Sequence, residues 1–547
     1  MAKKLAVTVS GAVSLGSFEA GVLFEVLSAL AEHNARVAKG EAGEPIHIDV
    51  ITGASAGGMS AAVCAQKLLF DAGALSGADT NALYRAWVQD VGLDGLLQLQ
   101  RAEDPTHSLL SSDLVEAISR KHLTQRYDVH VPPTINRHPA AADQLWLGLA
   151  LSNMNGVSYS QKTWPDDGEF TYTRYQDQYS IPLTPLAADD IQERWETIRR
   201  FAVSCGAFPF AFRMQEILRH ASEYPGADMD PRTTSFPSQV ETFVYTDGGV
   251  FQNEPLGLAK DLVDQIDKHQ NEQDRVYLFV SPGVRSGTAN LAFRERDANY
   301  KGALMELAGA IFQQARFHDW ITAETVNQRI QLFNDRSVGL QKAILGRSIN
   351  VNALGQVAGD ILNLFFDPND PAQAAARSAA EARLKLQFQP EYDALPAGAN
   401  DAWIQAILAF ETAAGIGDKD EMFICTVTAS DAELASGQIF AFAGFFDQKY
   451  RDHDYNVGRK KAQLFLNKPP DRLGPIHYTP TQVPEPDPSL NGLTLDKIPE
   501  AERKKLKSRL MDRSYDILEE LGVPTFLLRE AIDKWLIGPQ LDKLLKL

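Results

Sequence analysis

Near the N-terminus the spacing of apolar residues changes period four times. Residues 5–9 form a short apolar run of strand length. Small residues interrupt it over 10–16. From Ser17 onward Phe18, Val22, Leu23, Val26, Leu27 and Leu30 recur at helical spacing. A polar link over 32–45 follows. Residues 47–52 are a second β-branched run, which ends at Gly53 and turns into a helix carrying Met59, Val63, Leu68 and Leu69. Strand, helix, strand, helix in this order predicts a parallel sheet with helices on both faces.

The pattern continues less regularly. Residues 80–125 read as helical, with Trp87, Val91, Leu114, Ile118 and Leu123 facing a core. Strands are predicted at 145–151, 242–245 and 276–280, and helices at 195–203 and 256–266. Residues 301–333 read as helix. The stretch 367–400, rich in Ala, Pro, Asp and Asn, reads as a peripheral insertion or mobile loop. Residues 422–428 and 439–446 read as strands, 468–490 as a proline-rich linker, and the tail as helical. The predicted fold is α/β, a three-layer α/β/α sandwich with a mostly parallel central sheet plus helical C-terminal additions. The expected domains are a core at 1–290, a mainly helical extension at 291–467 with strands in 422–446, and a linker and tail at 468–547.

Composition narrows the function classes. The chain has 547 residues, of which 44% are hydrophobic and 23% charged, an ordinary globular balance. Its net charge of −18 argues against nucleic acid as a general partner and against polybasic docking on anionic lipid. The three cysteines, Cys64, Cys205 and Cys425, are far apart and lack metal-ligand spacing, so neither a metal nor a disulfide framework is expected. That favours a reducing, cytoplasmic setting. Lys3-Lys4 followed by residues 5–9 is too short for a signal peptide and reads as a first strand. No apolar run reads as a transmembrane helix. No cofactor is expected either: Gly16 is followed by Ser17-Phe18, which excludes a P-loop, and the dinucleotide fingerprint is absent.

The candidate chemistry starts at Gly53-Ala54-Ser55-Ala56-Gly57. A serine in a strained strand-to-helix turn projects its hydroxyl above the sheet, and flanking glycines remove Cβ atoms that would clash. The helix that follows aims amide donors at developing negative charge. The loop Ser10-Gly11-Ala12-Val13-Ser14-Leu15-Gly16 is placed to present further backbone N–H groups. Asp247-Gly248-Gly249 follows a strand, with Asn253 and Pro255 soon after. His269, His318, His453 and His477 follow Asp247, as a Ser-Asp-His order requires, and none has a distinctive setting.

These three features, in order, resemble the patatin-like phospholipases, as does the segment Ala202-Val203-Ser204-Cys205-Gly206-Ala207-Phe208-Pro209-Phe210. The likeness covers about residues 5–285. It implies a Ser55–Asp247 dyad without histidine, hydrolysis of lipid acyl esters through an acyl-enzyme, and backbone oxyanion donors at Gly11, Ala12, Val13 and Ala56. Phe208, Phe210 and Phe212 are candidates for an acyl pocket. The loop departs from the family's Gly-Gly-Gly-x-Arg-Gly: Ala12 and Val13 replace glycines and Leu15 replaces arginine. A β-branched Val13 disfavours positive φ, so either the loop conformation differs or the oxyanion hole is weaker, and the missing arginine removes a charge that could orient the loop or bind a lipid phosphate, which bears on phospholipid preference more than on ester chemistry. Three alternatives stay open: a Ser-His-Asp esterase, an acyltransferase, and a catalytically silent lipid-binding scaffold. Downstream, residues 440–446 and 451–459 form a dense cluster, in which the string Asp454-Tyr455-x-x-Gly458-Arg459 resembles segments in some large bacterial patatin-like proteins and reads equally as a packed turn with an Asp–Arg pair. In the tail, Leu506, Leu510, Ile517 and Leu521 oppose Lys504, Lys505, Lys507 and Arg509, a pattern suited to peripheral membrane contact or to docking on the protein's own core.

Overall fold

A computed structural model describes residues 2–546 apart from 99–102, 105, 125–135, 164–167, 186–190, 227–228, 268–274, 284–292, 296–302, 304–305, 308–309, 311–317, 418–420, 438–440, 521, 523–524, 526–528, 530–532 and 534–536. Its strands are β1 (Lys3–Val9), β2 (Ile46–Gly53), β3 (Ala141–Lys162), β4 (Glu169–Leu183), β5 (Gln215–His220), β6 (Arg232–Thr233), β7 (Val240–Asp247), β8 (Arg275–Ser281) and β9 (Ile424–Thr428). The principal helices are α1 (Gly16–Ala38), α2 (Ser55–Phe70), α3 (Ser112–Leu123), α4 (Ile191–Cys205), α5 (Leu256–Asp267), α6 (His318–Leu345), α7 (Val351–Phe365), α8 (Pro371–Gln387), α9 (Ala399–Ala414), α10 (Gln448–Asn467), α11 (Glu500–Glu520) and α12 (Gly538–Leu545).

The chain divides into two compact units: Met1–Ile266, Gln273–Asp319 and Phe423–Leu547 form one, and Asp267–Glu272 with Trp320–Met422 the other. The boundaries expected at 290 and 467 do not coincide with this division. Residues 423–547 belong with the sheet because β9 extends it beside β8 and α10 packs along α1. In the second unit α7, α8 and α9 close on Trp403, Leu362, Leu384 and Ile407. The stretch 367–400, expected as a loop, is helical there. Asp370 caps α8 by accepting from the Ala372 N–H, and Pro371 occupies its first turn, a start signal that outweighs the proline count.

In the first unit nine strands form one sheet in the order β5-β7-β3-β2-β1-β8-β9, with β4 and β6 paired to β3. Neighbours from β3 through β9 run parallel, whereas β4, β6 and β7 run antiparallel to β3, and β5 to β7. The central strands are buried on both faces, which is why β1 and β8 read as continuous apolar runs rather than alternating ones. Val7, Val9, Ile51, Leu147 and Leu149 share one apolar core with α1, α2 and α4. On the other face a Cβ at Gly148 would meet Leu258 and Leu262 of α5 and the methyl of Thr52. Helices therefore cover both sides of the sheet.

One sequence expectation changes here. Residues 441–446 are a turn and a 3-10 helix rather than a strand, while 438–440 lie outside the described residues. On α11 Leu506 is buried and Leu510 and Ile517 are half-buried, while Met511 and Tyr515 pack with Leu541 of α12; Leu521 lies outside the described residues. The segment Val13–Ala38 is long and apolar enough to cross a membrane, but 89% of its apolar 18-residue window is buried inside the protein, where α1 packs on the sheet core and on α10.

One buried ion pair ties the strands flanking β1. Arg275 on β8 donates to both carboxylate oxygens of Asp49 on β2, each at 2.7 Å, with side chains 1% and 6% exposed. Breaking such a pair strands a charge in the core. Arg275→Met is expected to lower unfolding free energy in urea by roughly 3–5 kcal/mol. Asp49→Leu combined with Arg275→Met is expected to recover most of that loss. Equal losses in the single and double variants would contradict the pairing.

Candidate active site

The site sits where β1, β2 and β7 end. β1 runs into residues 10–15, β2 into Ser55, and β7 into Asp247. The two strand-to-helix turns are pressed together. A Cβ on Gly57 would overlap the carbonyl oxygens of Val9 and Ser10, and one on Gly53 would overlap the Gly57 carbonyl. The Ala54 N–H donates to the Val9 carbonyl at 3.2 Å. Only glycine fits at these two contacts, and that closeness turns Ser55 into the left-handed region at φ 50°. Ser55 is the first residue of α2 and is 6% exposed.

Asp247 arrives from the antiparallel side. Register places it opposite Leu151 of β3, and its N–H donates to the Ala207 carbonyl at 3.0 Å. Ser55 Oγ donates to Asp247 Oδ2 at 2.6 Å, and the Gly249 N–H donates to Oδ1 at 2.7 Å. The carboxyl is 1% exposed, and burial pushes its pKa up to about 7, against the opposing effect of those two hydrogen bonds. Among the described residues no histidine bonds either side chain. His453 Nε2 pairs with the Glu433 carbonyl, and His477 stacks on His33. His269 and the side chain of His318 lie outside the described residues.

The loop donors expected from the sequence separate into two kinds. The Gly11 N–H is committed to the Asn253 carbonyl at 3.0 Å. Gly11 is instead needed for space, since a Cβ there would overlap Asn253 Oδ1 and lie 3.1 Å from Ser55 Cβ. Ala12 and Val13 carry backbone N–H groups with no partner among the described residues. Ala56 lies in the first turn of α2, whose amides have no intrahelical acceptor. Val13 adopts φ 52°, an unusual conformation for a β-branched residue. Asn253, quoted in the sequence only as part of the Asp turn, joins the two halves: its amide also donates to the Gly11 carbonyl at 3.4 Å.

An apolar cleft opens from Ser55, enclosing about 830 Å³ of empty space, part of it open to solvent. Ala56, Met59 and Val63 line it from α2, and Val115, Ile118, His122 and Leu123 from α3. Trp87, Phe208, Phe212 and Phe445 complete the wall. Phe208 and Phe212 thus line the cleft. Phe210 does not: at φ 67° its side chain turns outward and is 81% exposed. The helical spacing of Met59 and Val63 after Ser55 was a usable signal for this wall, but core packing produces the same pattern.

A family model described as patatin-like phospholipase matches residues 7–260. The uncharacterized protein y4iI of Sinorhizobium fredii is 21% identical over 543 aligned residues, covering 85% of this chain and 64% of that protein. The chain therefore spans just under two thirds of that relative's length. The crystal structure of VipD from Legionella pneumophila is similar over 56% of this chain and 53% of its own, at 12% identity and a TM-score of 0.22. Residues 7–260, which hold the turn at Ser55, the loop at Gly11 and the turn at Asp247, thus carry a patatin-like phospholipase domain.

Proposed function

We propose that this protein hydrolyses lipid acyl esters with Ser55 as nucleophile and Asp247 as its base. The observation that carries the reading is the buried 2.6 Å hydrogen bond between Ser55 Oγ and Asp247 Oδ2 at the mouth of an apolar cleft. As Oγ attacks the ester carbonyl carbon, its proton passes to Oδ2. The carbonyl oxygen gains the negative charge, facing the N–H groups of Ala12, Val13 and Ala56. Collapse of the tetrahedral intermediate breaks the ester C–O bond, and the leaving alkoxide takes the proton from Asp247. Water, deprotonated by the same carboxylate, then releases the acid and restores Ser55. A carboxylate ordinarily titrates near pH 4, too low for an effective base at neutrality. Burial without a cationic partner brings Asp247 into the working range. Cys64, Cys205 and Cys425 are all free thiols, which supports the cytoplasmic reading.

Ser55→Ala and Asp247→Asn are each expected to lower kcat on a soluble p-nitrophenyl ester by about 10³-fold or more. The base works deprotonated. The wild-type kcat/KM is therefore expected to fall tenfold per unit below pH about 7 and to level off above it. A rate that declines as pH rises through 7 would contradict the assignment of Asp247 as base.

The cleft also measures the acyl chain. Met59 and Val63 lie one and two turns beyond Ser55 on the same face of α2, so the wall is about 12 Å long at a rise of about 1.5 Å per residue. An extended hydrocarbon advances roughly 1.25 Å per carbon, given C–C bonds of about 1.5 Å. About ten carbons therefore span the wall from Ser55 to Val63. In a p-nitrophenyl ester series, kcat/KM is expected to peak near eight to ten carbons, each methylene contributing up to about 0.8 kcal/mol. Met59→Trp is expected to cost at least tenfold on the ten-carbon ester and little on the two-carbon ester. A uniform loss at every length would contradict the chain-measuring cleft.

A further inference from the structure

We infer that residues 441–459, outside the family match, act as a brace that holds the oxyanion loop in its working shape, with Ser14 and Arg451 as its positioning residues. The inference rests on the hydrolase reading above and adds to it the part of the chain that makes the altered loop competent.

The loop needs support. Val13 at φ 52° is strained for a β-branched residue, and such a conformation persists only where the surroundings dictate it. The adjacent residue supplies the hold. The Ser14 N–H donates to the Ala441 carbonyl at 3.2 Å, and the Ser14 hydroxyl donates to the same carbonyl. That hydroxyl also accepts from the Gly444 N–H at 3.2 Å. Ser14 is wholly buried, so all three bonds form away from water. Ala441 is itself left-handed, at φ 66°. At Gly444 a Cβ would sit 2.5 Å from Ser14 Oγ and from Ser436 Oγ, so the approach requires glycine.

The brace is in turn anchored on α10. Arg451, 4% exposed, donates through Nη1 to the Gly444 carbonyl at 2.8 Å. Through Nε and Nη2 it donates to the Val88 carbonyl at 3.1 and 3.0 Å. Asp454, wholly buried, accepts from the N–H groups of Ala435 at 2.7 Å and Ser436 at 3.0 Å. α10 then grips α1, the helix the oxyanion loop leads into. Gly21 of α1 meets the Tyr455 carbonyl and Gly458 of α10 meets the Phe18 carbonyl, with no room for a Cβ at either. A buried pair, Arg459 to Glu25 at 2.8 Å, locks the crossing. Phe445, between these anchors, lines the acyl cleft. Between Gly11 and Gly16 the Ala12-Val13-Ser14-Leu15 stretch is thus held by side-chain and backbone bonds made far along the chain.

The test compares wild type, Ser14→Ala and Gly444→Ala, each checked for an unchanged thermal transition. The readouts are steady-state kinetics, the pH profile, inhibition by an alkyl trifluoromethyl ketone, and binding of the matching fatty acid. The ketone forms a tetrahedral oxyanion on Ser55, whereas the fatty acid reports the cleft alone. Displacing oxyanion donors without deleting them is expected to cost Ser14→Ala about 10- to 100-fold in kcat. KM is expected to stay within about twofold and the pH midpoint unmoved. The ketone should weaken by the same factor as kcat/KM and the fatty acid not at all. Gly444→Ala is expected to follow the same pattern. A Ser14→Ala enzyme with wild-type kcat and ketone affinity, in an active wild-type background, would overturn the brace alone. So would a loss that moves fatty-acid binding in step with kcat. A wild type that neither turns over esters nor is labelled at Ser55 by a serine-directed phosphonate would overturn the hydrolase reading, and the brace's catalytic role with it.

Discussion

Two turns share one small volume at the ends of β1 and β2, and the rest of the site follows from how closely they meet. Gly57 lies against the carbonyls of Val9 and Ser10, and Gly53 against Gly57 itself. No side chain fits between them. The closeness forces Ser55 out of ordinary helical geometry, with its hydroxyl directed at Asp247, and sets the start of α2 beside the loop at Gly11. Steric exclusion at two glycines thus becomes the position of a nucleophile relative to its donors. Asp247 completes the arrangement from an antiparallel strand, so its carboxylate reaches Ser55 without any helix or histidine between them.

Burial is the second constraint: it raises the pKa of two neighbouring groups, with opposite consequences for their reactivity. It raises the Asp247 carboxyl to about 7, where it can exchange a proton with a hydroxyl near neutrality. The same burial pushes the Cys205 thiol, packed under Gly58, well above its usual range, which keeps a second nucleophile beneath the site in its unreactive protonated form. Strain is distributed in a comparable way. Val13, Ser55 and Ala441 all carry positive φ, and each sits at a contact between segments distant in sequence. Backbone hydrogen bonds and glycine contacts around them hold these conformations.

Much of this was legible in the sequence, for identifiable reasons. β1, β2 and β8 are buried on both faces, so they read as apolar runs bounded by glycine or proline, and the turns after β1, β2 and β7 gave the sites of Gly11, Ser55 and Asp247. β4 was missed because it is largely exposed. Its signal is Tyr and Thr alternating with polar residues over Glu169–Leu183, not an apolar run. α8 was misread because proline and alanine were counted as loop composition, when Asp370-Pro371 is a helix start. Gly11 was assigned as an amide donor, but its N–H is taken by Asn253, a contact across 242 residues that no local pattern carries. Phe210 was grouped with Phe208 and Phe212 by proximity, and a single left-handed residue sends its side chain to solvent. The bonds between Ser14 and residues 441–444 were invisible for the same reason: they join segments 427 or more positions apart, and only packing brings them together.

The central claim is that Ser55 carries an acyl group during turnover. Mass spectrometry of the peptide containing Ser55, from enzyme quenched in acid during steady-state hydrolysis of a ten-carbon ester, tests it directly. The account requires a fraction of that peptide to gain the mass of the acyl group, with the modification on Ser55 and absent in Ser55→Ala. Active enzyme that shows the acyl group on another residue would contradict it.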